Sequence, residues 1–172
     1  TYYETRDDAE PKGLTRLEAN PFCLLFLGAP CPPNDNLFDT QSGLEPTNGT
    51  DSLGLSAHLL WNISPSWQMK SITAYRESDS LNNIDFDTTP APITDVFATY
   101  FDDQFSQEFQ FLYTGDRLDG VLGLYYFDGF AGGLVQNNFL NALFGTTDGD
   151  TKTDSIGIFG EGHYALTDRL KL

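Results

Sequence analysis

Three short polar turns recur along the 172 residues at nearly equal intervals: "SPS" around Pro65, "GDR" around Asp116 and "TDR" around Asp168, 51 and 52 residues apart. Each follows a run in which side chains alternate in character. Before Pro65, Leu53, Leu55, Ala57, Leu59, Trp61 and Ile63 share one face. Gly54, Ser56, His58, Asn62 and Ser64 share the other, interrupted by Leu60. Before Asp116, Phe105, Phe109, Phe111 and Tyr113 oppose Ser106, Glu108, Gln110 and Thr114, with Gln107 the exception. Before Asp168, Ile156, Ile158, Tyr164 and Leu166 oppose Ser155, Gly157, Glu161 and His163, with Phe159 the exception. A period of two is the signature of a strand with two different faces, and Pro65 stands where a strand must end. The parity of "WQMKSITAYRE" stays open, because Ile72 and Ala74 oppose Trp67, Met69 and Tyr75. The return run 118–127 is apolar on both faces and stays open too.

The other ends of these hairpins read as long loops, 77–103 and 128–152, and residues 1–51 read mainly as a longer loop of the same kind. Loops of that length count against a compact soluble domain. Short turns at one end and long loops at the other are the pattern of an outer-membrane barrel. About eleven residues at about 3.3 Å each, tilted by about 40°, rise about 28 Å, close to the apolar band of such a barrel. Trp61, Tyr113 and Tyr164 precede their turns on the apolar face, where an interfacial girdle would lie. The alternation therefore predicts Leu59, Trp61, Phe109, Phe111, Tyr113, Ile156, Ile158 and Tyr164 toward lipid, and His58, Glu108, Glu161 and His163 toward a lumen.

Charge follows the same division. Residues 1–51, 77–103 and 128–154 carry 20 of the 25 acidic residues and 4 of the 9 basic ones, which accounts for the whole net charge of −16. A chain this acidic lacks the basic face that a nucleic-acid partner requires. No apolar run reaches the roughly 18 residues of a membrane helix, and no signal peptide opens the chain. It begins on Thr and stops within a new strand, so it reads as a piece of a longer protein. The two cysteines, Cys23 and Cys31, lack the spacing of a redox or zinc motif. In a loop rich in Pro and Gly they are expected to form a disulfide, which implies an oxidising compartment.

The segments "LWNISPSWQMKSITAYRE", "FSQEFQF", "GVLGLYYF" and "TDSIGIFGEGHYALTDRLKL" resemble, in order and with sensible spacing, the barrel of TonB-dependent outer-membrane receptors. The match covers residues 53–172. The resemblance implies an all-β fold: an antiparallel up-and-down transmembrane β-barrel of about 22 strands, of which this chain supplies about five full strands with long extracellular loops. Residues 1–172 would form part of one barrel domain, with strand hairpins in 52–172 and no plug domain present. It further implies a bacterial outer-membrane location and import of a scarce ligand, an iron–siderophore complex foremost. The implied partners are outer-membrane lipid, that ligand and, through an N-terminal region not in this chain, the TonB complex. Two other classes stay open: a passive porin-like channel or surface adhesin on a similar barrel, and a secreted carbohydrate-binding β-sandwich.

No catalytic constellation, P-loop, HExxH or GxSxG elbow is present, so neither an enzyme nor a bound cofactor is expected. His58 and His163 fall on the lumen face, where a histidine needs no function. The pairs Asp85/Asp87 in "DFDTT" and Asp148/Asp150 in "TTDGDT" lack EF-hand spacing and read as solvated acidic loop rather than a metal site. The sequon-like "NGT" at Asn48 carries little weight. Two stretches are unusually apolar, 21–30 and 134–145. In the second, Phe139, Leu140, Leu143 and Phe144 fit one helical face and suggest a small cap packed on neighbouring loops.

Overall fold

The computed structural model describes residues 2–7, 19, 21–36, 40–45, 47–167 and 170–172. Seven strands form a single antiparallel sheet in chain order: β1 (Tyr2–Asp7), β2 (Asn48–Ser64), β3 (Trp67–Asp85), β4 (Thr94–Thr114), β5 (Leu118–Phe139), β6 (Ala142–Thr167) and β7 (Leu170–Lys171). One short helix, α1 (Pro21–Leu27), lies between β1 and β2. An up-and-down order of this kind needs only a turn between neighbours, and each ladder satisfies the backbone groups on both sides of it.

Short turns close one end of the sheet. Between β2 and β3 the Ser64 hydroxyl accepts hydrogen bonds from the backbone N–H groups of Ser66 (3.3 Å) and Trp67 (3.1 Å). Between β4 and β5 the Gly115 N–H donates to the Leu118 carbonyl at 2.9 Å. The third turn, expected around Asp168, falls outside the described residues.

At the other end the structure corrects the sequence reading. Residues 77–103 and 128–152 are not loops. β3 and β4 stay paired from Trp67↔Tyr113 to Asp85↔Asp95, and only 86–93 connect them. β5 and β6 stay paired out to Phe139↔Ala142, joined by Leu140 and Asn141 alone. The expected helical cap at 134–145 is therefore a strand–turn–strand tip. The physical reason is that paired arms in water need no apolar face. Ladder hydrogen bonds and small polar contacts, such as Ser52 Oγ to Ser78 Oγ at 3.1 Å, hold them without a hydrophobic signature. At about 3.3 Å per residue the 26 residues of β6 reach about 85 Å, far beyond a membrane's apolar thickness.

Directly opposed residues of an antiparallel ladder lie on the same side, so the register settles every face. Leu59, Ser71, Phe109, Leu124 and Ile158 form one row. The open parities resolve: Trp67, Met69 and Tyr75 join that first face with Leu122, Leu124 and Tyr126, whereas Ile72, Ala74, Val121, Tyr125 and Phe127 lie on the second. Among the described residues the buried apolar side chains are Cys23, Cys31, Ile93, Val96 and Ala98, too few for a soluble core. There is no second sheet among them either, which removes the β-sandwich alternative.

The tip between β5 and β6 is a two-residue turn with both residues at positive φ, Leu140 at 51° and Asn141 at 62°. That is the geometry Asn-Gly adopts most readily, and a leucine is strained in it. Replacing the pair as Leu140→Asn with Asn141→Gly should stabilise the tip by about 1 kcal/mol. Slower amide hydrogen exchange at 137–144 would register the gain; unchanged exchange would show that the tip carries no such strain.

Candidate functional site

At the end nearest the short turns, three successive rows of the first face hold no acidic, basic or histidine side chain. They run Trp61, Met69, Phe111, Leu122, Gly160; then Leu59, Ser71, Phe109, Leu124, Ile158; then Ala57, Thr73, Gln107, Tyr126, Ile156. Their large apolar side chains are unpacked: Leu59 is 61% exposed and Ile158 78%. Aromatic rings border these rows on both sides. Trp61 stands in the row nearest the turns, and beyond it toward them lie Tyr164 and the pair Trp67–Tyr113, with ring centroids 4.9 Å apart. Away from them lie Tyr75 and the pair Phe105–Tyr126, at 6.4 Å. Tyr113 and Phe105 are separated by about 26 Å along the strand, or about 20 Å of height at the usual tilt. At the second border the first face turns charged: Asp128 and Asp154 stand in the row of Phe105, and Lys152 lies 3.4 Å from the first and 3.8 Å from the second. The Asp154 and Lys152 hydrogen bonds hold the Asp128 carboxyl below its ordinary range, against a smaller upward push from desolvation.

Gln107 is the polar exception within the apolar rows, and its amide is fully engaged. Thr73 Oγ1 donates to Gln107 Oε1 at 2.6 Å, and Gln107 Nε2 donates to Ser71 Oγ at 2.9 Å and to the Glu108 carbonyl at 3.1 Å. Three polar side chains thus satisfy one another without water.

The second face at the same depth carries the ionisable groups. Lys70, Glu108, Glu161, His58 and His163 all lie there. Glu108 accepts a hydrogen bond from Gln110, and His163 Nε2 lies 3.2 Å from Glu161 Oε1. Phe159, the apolar exception on this face, covers Gly123: a Cβ on Gly123 would stand 2.0 Å from its ring. The glycine leaves the space that the ring fills. All eight residues expected together on the apolar face share the first face, and His58, Glu108, Glu161 and His163 share the second. The two histidines sit on β2 and β6, with three strands between them.

Just beyond the apolar rows the second face opens into a cleft of about 260 Å³. Asp102 and Gln104 of β4, Phe127 of β5, and Thr151 and Thr153 of β6 line it, with Gly129 at its floor. Sequence reasoning placed Asp102, Gly129 and Thr151 in loops and gave Gln104, Phe127 and Thr153 no common site, because only the ladder brings these parts of β4, β5 and β6 side by side. Farther out, the two apolar stretches meet: Phe26 of α1 packs edge-on against Phe139 (5.8 Å), which contacts Phe144 (6.5 Å). Cys23 and Cys31, with Cα atoms 5.6 Å apart, are joined by a disulfide that closes the α1 segment.

A family model described as "TonB dependent receptor-like, beta-barrel" matches residues 2–172. The chain belongs to this family. Members are outer-membrane receptors for TonB-dependent transport, a receptor and transporter class rather than an enzyme class. No curated protein and no solved structure matches the chain. In this receptor-family sheet the Gln107 group can be tested directly. Thr73→Val alone should destabilise the protein in detergent by about 1–3 kcal/mol, because it orphans an amide oxygen. Thr73→Val, Ser71→Ala and Gln107→Leu together should restore stability to within about 1 kcal/mol of wild type. Denaturant unfolding would measure both.

Proposed function

We propose that this chain is part of an outer-membrane active transporter that imports a scarce ligand, an iron–siderophore complex foremost, with energy supplied through TonB. The observation that carries the reading is the division of the sheet at one depth. The first face has about 20 Å of uncharged, outward-standing side chains between two aromatic borders, and the second face holds the acidic, basic and histidine side chains at that depth. We assign the first face, with Leu59, Trp61, Phe109, Phe111, Tyr113, Ile156, Ile158 and Tyr164, to lipid. The second face, with His58, Glu108, Glu161 and His163, lines the lumen, and the cleft beside Asp102 and Gln104 opens onto the ligand's path. The long paired arms then stand on the outer side of the membrane. Their acidity disfavours a polyanionic cargo, so the ferric complex that fits is neutral or cationic overall.

Two measurements test this. Phe109→Arg should impair membrane insertion by about 2–4 kcal/mol, whereas Gln110→Arg, one residue away on the lumen face, should be tolerated. Equal effects would remove the lipid assignment. Uptake of radioactive iron presented as neutral siderophore complexes should require the intact protein and stop when the proton gradient is collapsed. Uptake that survives the uncoupler would point instead to a passive channel.

A further inference from the structure

Asp85, Asp87 and Asp95 converge at the outer end of the β3–β4 hairpin, about ten residues beyond the apolar rows. One carboxylate oxygen from each lies within 4.8 Å of the other two. The sequence reading placed "DFDTT" in a solvated loop. The structure corrects this: Asp85 is 3% exposed and Asp95 5%. Backbone donors fix two of the three. Asp85 accepts from the N–H groups of Gly43 (2.8 Å) and Thr88 (2.7 Å). Asp87 accepts from the N–H groups of Thr89 (3.0 Å) and Thr94 (2.6 Å) and from the Thr89 hydroxyl. Asp95 is different. Its Oδ1 is buried with no hydrogen-bond partner. On the same face, two residues before Asp85, Asn83 also leaves its Oδ1 buried and without a partner.

A buried carboxylate oxygen with no donor is costly unless a proton, a water or a cation completes it. The three acceptor atoms lie within 4.8 Å of one another, so a point at their centre is within about 2.8 Å of each, and a small inward shift brings all three to the calcium–oxygen range of about 2.3–2.6 Å.

We infer that Asp85, Asp87 and Asp95 form a calcium site at the outer rim. The ion would tie the connector 86–93 to both strands it joins and, through the Gly43 N–H on Asp85, to the segment that follows the disulfide loop. Leu140 N–H donates to the Ile93 carbonyl at 3.0 Å, so the same ion would steady the tip that carries Phe139 against Phe26. Calcium thereby becomes a structural switch for the outer mouth, independent of which ligand is carried.

The test uses the natural full-length protein in detergent, stripped with a chelator. Calorimetric titration with calcium should show one saturable site with Kd on the order of 10⁻⁴ to 10⁻³ M, the range of extracellular modules. Asp95→Asn should weaken binding at least tenfold, while Asp148→Asn, an exposed acid on β6, should leave it unchanged. In calcium-free buffer Asp95→Asn should melt no lower than wild type, because it removes a buried like charge. Calcium should raise the wild-type Tm, and magnesium at equal concentration should not. The inference fails if wild type shows no saturable binding below 10 mM, if Asp95→Asn binds as tightly as wild type, or if magnesium acts equally. A lower calcium-free Tm for Asp95→Asn would also overturn it, since Asp95 would then be a structural hydrogen-bonding group rather than a ligand.

Discussion

The structure depends on one constraint: each strand must give its N–H and C=O groups to a neighbour, because lipid offers no water to take them. An isolated backbone group in hydrocarbon costs several kcal/mol. The ladders from β2 to β6 meet that demand along these strands, as from Trp67↔Tyr113 at the turns to Asp85↔Asp95 at the rim, whereas β1 pairs only with Thr50–Leu55 of β2. Side chains are then free to differ between faces without any loss of backbone pairing. This is why a sheet with hardly any buried apolar side chains among its described residues still has a defined register.

The same logic explains both departures from alternation. Gln107 interrupts the apolar face but forms a closed group with Thr73 and Ser71, so it leaves no unpaired amide on that face. Phe159 interrupts the polar face but lies flat over Gly123. Each exception is matched by its cross-strand neighbour, in the way paired positions stabilise a sheet generally. Neither match is visible along one strand, because the partners are 34 and 36 residues away in sequence for Gln107 and as many for Phe159.

Legibility followed the same physics. Where one face had to be apolar, the period-two pattern of residues 53–63, 105–113 and 155–166 was readable by eye, and the short turns were punctuated by Pro65 and Gly115. Where both faces met water, the signal vanished. Arms such as 77–85 and 128–138 are rich in Asp, Asn, Ser and Gly, residues that individually argue against strand, and only the ladder reveals them. The tip at Leu140 and Asn141 was hidden for a related reason, since a leucine is not the residue a positive-φ turn advertises. The buried acid cluster was half legible: "DFDTT" drew attention to Asp85 and Asp87, but nothing along the chain announces that Asp95 will be folded against them.

The paired arms also change how the cell exterior meets this protein. A loop of 25 residues samples many shapes and closes on a ligand by losing entropy. A hairpin hydrogen-bonded to its last residue has already lost it. In the proposed orientation the outer wall is a stiff palisade that stands tens of ångströms clear of the lipid. An antibody or phage fibre approaching from that side would touch the leucine–asparagine tip and Phe144, 81% exposed, before it reached the membrane plane.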